Sequence, residues 1–341
     1  MPSATRELTP TMPSKRRWLS LGIRTTASIL GATFLIGAVA FAICGKGWIA
    51  SALVVAPNAG RSFRAEDDPP QEDVRKAGAD EQLRIELGPP DAMSLCTWVV
   101  EPKGPPLATV LVLHGIRSDK FWFIDMARRI AAQGFRAVVP DLRGHGRSSG
   151  DWLSYGVREA HDLSGLLSEL AKAGSLVEPV GVLGISYGAA SGIQLAGVDS
   201  RVRAVVAIAS FSSLDAVVPD YVRHYLPVLW RLIPDAYISG GVERAGALAH
   251  FDPTAASPLA AMSRTNAQVL LIHGLADDHI PPEHSRRLHA AAPGHSKLIL
   301  VQGDDHLSII GDRTGAITTQ GMAWLHRWLD PHGNPVDESG R

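Results

Sequence analysis

From Ala108 onward the chain alternates short, almost uninterrupted apolar runs with longer mixed stretches. The runs are Thr109 to Leu113, Ala137 to Val139, Val180 to Leu183, Val202 to Ile208, Val269 to Ile272 and Leu298 to Val301. Between them, segments such as Phe121 to Gln133 and Arg158 to Ala173 read as helices. Near-continuous apolar strands separated by helices predict a mostly parallel sheet covered on both faces. Two weaker strand candidates, Glu81 to Leu87 and Leu95 to Val100, are placed to begin an antiparallel edge.

A different pattern precedes this one. From Thr25 to Cys44 the chain carries no charge for about 20 residues, the length that the hydrocarbon core of a bilayer requires. Lys15, Arg16, Arg17 and Arg24 stand before it, so the segment is expected to act as a signal anchor, a single transmembrane helix with its N-terminus in the cytoplasm. The remainder is then expected on the non-cytoplasmic side. Ala38-Val39-Ala40 supplies a small-residue site for the alternative, a cleaved signal peptide. The domain plan is a cytoplasmic segment 1–24, a span 25–44, a juxtamembrane linker 45–82, a folded domain 83–332 and a tail 333–341. Within the linker, Trp48 to Val55 is apolar but too short to span, and is expected at the interface or against the domain.

Composition narrows the partners. The formal net charge of -1 over 341 residues gives no electrostatic reason to expect nucleic acid. Two cysteines, Cys44 and Cys96, suggest neither a disulfide framework nor a metal spacing. No cofactor is expected.

Gly184-Ile185-Ser186-Tyr187-Gly188 lies between a strand-like run and the small-residue stretch Ala189 to Gly192, the order strand, sharp turn, helix. Glycines two before and two after a serine allow a turn tight enough to present its Oγ at the top of a sheet. A serine hydroxyl needs a histidine to take its proton and an acid to orient that histidine. Downstream, Gln268 to Ile272 runs into His273-Gly274-Leu275-Ala276-Asp277, and the next strand-like run is followed by Gly303-Asp304-Asp305-His306. Ser186, Asp277 and His306 thus fall in the order nucleophile, acid, base.

Together with Leu113-His114-Gly115 and Asp141-Leu142-Arg143-Gly144-His145-Gly146-Arg147-Ser148, these motifs carry a resemblance over roughly Pro105 to Asp330. The chain resembles the α/β-hydrolase fold serine hydrolases, and is similar to membrane-anchored single-domain members of the esterase and serine aminopeptidase kind. The resemblance implies an enzyme that cleaves a small-molecule carboxylic ester, or a thioester or amide, through an acyl-enzyme on Ser186. It also implies two backbone N–H donors for the oxyanion, from Tyr187 after the nucleophile and Ile116 after His114-Gly115. A small cap is expected from the insertion 211–266, whose aromatic and aliphatic middle packs on the core and contributes in part to an apolar pocket. A serine peptidase of the aminopeptidase or oligopeptidase type, and a non-catalytic binding protein on the same fold, are the alternatives.

His114 and His145 are read as loop-holding residues, and the Tyr187 side chain as packing behind the turn. Asp278, Asp304 and Asp305 neighbour the expected acid and base without taking their place. The cluster of Asp277, Asp278, His279, Asp304, Asp305 and His306 lacks spacing typical of zinc or calcium sites, so no metal is expected. No triad or oxyanion candidate precedes Ala65, so a domain beginning there is expected to stay folded and active.

Overall fold

The computed structural model describes residues 45–89, 92–312 and 315–330. The expected cytoplasmic segment 1–24, the span 25–44 and the tail 333–341 lie outside these residues. Among the described residues no helix is long and apolar enough to cross a membrane.

Eight strands form one sheet: β1 (Glu81–Leu87), β2 (Met93–Val100), β3 (Thr109–Leu113), β4 (Arg136–Pro140), β5 (Val180–Ile185), β6 (Val202–Ile208), β7 (Gln268–Gly274) and β8 (Ser296–Val301). Their order across the sheet is β1-β2-β4-β3-β5-β6-β7-β8. β2 runs antiparallel to both neighbours, Trp98 opposite Val139 on one side and Gln82 on the other, and every pairing from β4 to β8 is parallel. The strand order reverses at β3, with β4 to one side and β5 to the other. The carboxyl ends at such a reversal are where open α/β sheets leave a crevice for ligands.

The parallel strands read as unbroken apolar runs because each is covered twice. On β3, Leu111 and Leu113 face one core while Val110 and Val112 face the other, the two-residue period of a strand. The first core takes α4 (Val157–Lys172) through Leu163 and Leu166, and α5 (Tyr187–Ala196) through Ile193. The second takes α3 (Ile124–Ala132) through Ala127 and Ile130, and the C-terminal helix Met322–Leu329 through Leu325 and Leu329.

Between β6 and β7 the chain builds a cap from α6 (Leu214–Tyr225) and α7 (Asp235–Ala249). Beneath it lies α1, the helical residues 45–54 at the start of the expected linker. Ala50, Leu53 and Val54 are buried in the first core. The backbone that follows is stitched to the loop after β4. Leu153 N–H donates to Val54 O at 2.9 Å, Ala56 N–H to Asp151 O at 3.0 Å, and Asn58 Nδ2 to Ser148 O at 2.6 Å. Gly241 of α7 admits Ile49, since a Cβ there would fall 2.5 Å from its Cγ2. Residues 50–58 thus supply buried side chains and backbone partners that a domain beginning at Ala65 would lack.

Candidate active site

The turn after β5 holds Ser186 at φ 54° and ψ −113°, a conformation that L-residues rarely adopt and that persists only when its surroundings enforce it. The surroundings are two glycines. A Cβ on Gly184 would lie 2.5 Å from Gly188 O, and one on Gly188 would lie 2.5 Å from Leu113 O and 2.6 Å from His114 O. Helix α5 can therefore press against the end of β3 only with glycine at both positions, and Ser186 is lifted at the seam.

His306 opens the short helix α10 (His306–Ile310) after β8, and Asp277 lies in the loop after β7. His306 Nδ1–H donates to Asp277 Oδ2 at 2.7 Å, which leaves Nε2 facing Ser186 Oγ at 3.2 Å. All three residues are buried. The other carboxylate oxygen, Oδ1, accepts the N–H groups of His279 at 3.0 Å and Ile280 at 2.8 Å. Burial alone would raise this carboxyl, but hydrogen bonding to His273 and His306 outweighs it and holds Asp277 below the usual carboxylate range.

The neighbouring acids are placed elsewhere. Asp278 is exposed and lies 3.2 Å from His224 of α6. Asp305 caps α10 by accepting the N–H groups of Leu307 and Ser308. Asp304 is buried, and its carbonyl accepts Ala276 N–H at 2.9 Å, tying the acid loop to the base loop. Among the described residues no group of three or more His, Cys, Asp or Glu side chains is arranged to hold a metal ion.

Tyr187 is the first residue of α5, where an N–H group has no partner within its helix. Among the described residues Ile116 N–H has no acceptor either, and the adjoining Gly115 is so close to the elbow that a Cβ on it would sit 3.8 Å from Ser186 Cβ. The side chain of Tyr187 points away from this space, and its hydroxyl donates to buried Glu159 at 2.8 Å. His114 donates from Nδ1 to Gly115 O and accepts Leu142 N–H on Nε2. His145 likewise donates to Arg143 O and accepts Arg117 N–H. Burial pulls the two imidazoles down to about 4 and about 3, so both are neutral props of the loops.

Three features escape sequence reasoning. Lys120 and Asp141 form a buried ion pair joining the loops after β3 and β4, and only Asp141, at the head of its motif, was noticeable in advance. Glu159 behind the elbow sits on an otherwise ordinary helix. His279 packs its ring 4.7 Å from that of His306 and also 4.7 Å from His224, which brings cap and base together. Burial, with the charges of His306 and His224, lowers His279 to about 4.

A cavity of about 570 Å³ opens over Ser186 and His306, walled by Ile116, Tyr221, Tyr225 and His279. A larger one of about 1030 Å³ lies within the cap along α7 and reaches no triad residue. The first is the candidate site because the chemistry is there.

The model of the family described as serine aminopeptidase, S33, matches residues 104–257, a stretch that includes the elbow and ends before Asp277 and His306. Among solved structures, an esterase of Pyrococcus furiosus, Pf2001, superposes with a TM-score of 0.61 at 18% identity, over 80% of this chain and 98% of its own. The chain has the α/β-hydrolase fold. A Pyrococcus horikoshii acylaminoacyl peptidase shares the fold too, with a TM-score of 0.56 and 18% identity over 79% of this chain and 45% of the peptidase. In sequence, the chain is 27% identical over 205 residues to an uncharacterized protein of Bacillus subtilis (strain 168), YqkD. That match spans 58% of this chain and 64% of the relative, less than two thirds of its length.

Proposed function

We propose that this hydrolase cleaves a carboxylic ester through an acyl-enzyme on Ser186. The observation that carries the reading is the relay from Ser186 Oγ to His306 Nε2, 3.2 Å, and from His306 Nδ1 to Asp277, 2.7 Å. Ser186 Oγ adds to the ester carbonyl carbon while its proton passes to His306 Nε2. Asp277 stabilises the imidazolium, and the N–H groups of Tyr187 and Ile116 receive the oxyanion. Collapse breaks the bond to the alkoxy oxygen, which leaves with the proton from His306. Water then repeats the sequence on the acyl-enzyme, its proton going to His306, and releases the acid and Ser186.

Fluorophosphonate labelling tests the nucleophile. Wild type should be labelled at Ser186, and Ser186→Ala should lose both labelling and at least about a thousandfold of turnover. Background labelling of wild type would remove the enzymatic reading and leave a binding protein. The match to the serine aminopeptidase model favours a second reading, a serine peptidase; turnover of aminoacyl amides in preference to simple esters would select it.

The charge-free segment 25–44 and the basic cluster before it support a single membrane span, with the catalytic domain on the non-cytoplasmic side. Carbonate extraction tests retention, and protease access in intact cells tests the side. Release of the protein with a new N-terminus near Phe41 would instead establish signal cleavage.

A further inference from the structure

A second cavity of about 420 Å³ adjoins the catalytic one, and the two share Ile116, Arg117, Tyr221, Tyr225 and His279 in their walls. Its remaining wall is apolar: Val218, Val222 and Leu226 come from the α6 side, and Ile49, Ala52 and Leu53 from α1. The α1 residues follow the spacing that puts side chains on one helix face, while Ala50 and Val54 on the adjoining face enter the core. Tyr155 contributes its ring, and its hydroxyl is already committed to Leu53 O at 3.1 Å. Among the described residues no Asp or Glu lines this space. A substrate's ammonium group would find no carboxylate there, whereas an aliphatic chain would find mostly apolar surface away from Arg117, His279 and the tyrosine hydroxyls. The volume falls within the range of small-molecule sites, about 300–1,000 Å³.

We propose that this chamber receives the unbranched aliphatic chain of the substrate ester, and that α1 is a specificity-determining wall of it. The inference rests on the ester-hydrolase reading and names its substrate class: esters with a medium-length aliphatic chain. The wall comes from the chain ahead of the catalytic fold, so chain-length preference is set jointly by the cap and by residues 49–53.

The test is a series of p-nitrophenyl esters from acetate to decanoate, run on the full chain beside a series of alkyl acetates of matching length. For the side of the ester that enters the chamber, kcat/KM should rise about fourfold per methylene until the space is filled, the effect of burying one CH₂. A rise in the first series places the acyl part there; a rise in the second places the alcohol part. Ala52→Trp, which fills the chamber from an exposed position on α1, should lower the decanoate-to-acetate ratio at least tenfold, or the matching ratio in the alkyl series. Val222→Trp, from the facing wall, should do the same and guards against misfolding of the first variant.

Acetate hydrolysis with two flat series, or tryptophan variants that leave the ratio untouched, would overturn the chamber and leave the hydrolase reading intact. Absence of all turnover and of Ser186 labelling would remove the hydrolase reading instead. The chamber is then judged by calorimetric binding of decan-1-ol, expected to be saturable in wild type and at least tenfold weaker in Ala52→Trp. No saturable binding would overturn it.

Discussion

Asp278 Oδ1 lies 3.2 Å from His224 Nδ1, so adjacent carboxylates on one loop face opposite partners: Asp277 turns inward to the base, and Asp278 turns outward to the cap. The difference is one of environment as much as direction. Asp277 is buried and holds four hydrogen-bonding or ionic contacts, whereas the side chain of Asp278 is 85% exposed.

Asp277→Asn should therefore lower kcat by roughly a thousandfold or more, because the amide no longer holds His306 in the tautomer that accepts from Ser186. Asp278→Asn should stay within a few-fold of wild type, since an exposed ion pair contributes about 1 kcal/mol at most. Steady-state kinetics of the two folded variants checks this. Equal losses would mean that the acid has been assigned to the wrong residue.

Stability should fall as pH drops from about 6.5 to 4. His114 and His145 are held neutral by burial down to about 4 and about 3, whereas in the unfolded chain they take up protons near 6.5. In that window the unfolded state binds more protons, so acid favours unfolding, by on the order of 3 kcal/mol for His114 alone. Asp277, lowered rather than raised, loses its contribution only at still lower pH. Thermal melts between pH 7.5 and 4 should show a steady decline, and a flat profile would contradict the neutral assignment of the two rings.

Lys120→Met should destabilise the domain by about 3–5 kcal/mol, the scale for leaving one member of a buried pair uncompensated. Burial works against the lysine charge, but Asp141 outweighs it and holds the ammonium above its ordinary range. The double variant Lys120→Met, Asp141→Leu should recover little. Asp141 also accepts the N–H groups of Lys120 and Arg147, so its loss orphans two backbone donors. Denaturant titration of the single and double variants measures both effects.

A chain beginning at Phe41 should fold with nearly the stability of the whole domain, whereas one beginning at Ala65 should lose about 3–6 kcal/mol from Leu53 and Val54 alone. Urea midpoints of the two truncated proteins give the comparison. Equal midpoints would mean that α1 contributes no net stability.

What the chain disclosed in advance follows from how locally each feature is encoded. Strands β3 to β8 are buried on both faces, so their apolar runs stand out with no knowledge of their neighbours. Ser186, Asp277 and His306 each sit at a strand end in a short turn with its own glycine or acid signature. Trp48 to Val55 is different: a short apolar helix against a core and one at an interface have the same composition, and only Leu153, Tyr155 and Gly241, distant in sequence, decide between them. The run of ring contacts from His224 through His279 to His306 was equally hidden, because it depends on how the cap closes over the sheet. Lys120 gave no sign, since a lone lysine is ordinarily read as solvated.

The proposed base follows the last of the described strands. Among the described strands β8 lies at the edge of the sheet and pairs with β7 alone, and His306 follows it by a short turn, while Ser186, the proposed nucleophile, sits 120 residues earlier. During synthesis, a nascent chain that has already assembled the strands through β6 carries its serine turn with neither acid nor base beside it. On the proposed mechanism, hydrolytic competence is thus withheld until the chain through His306 has emerged, and a ribosome stalled before β8 would display an inert product. Reactivity of Ser186 toward fluorophosphonate is for the same reason a reporter of completed folding at the far edge of the sheet.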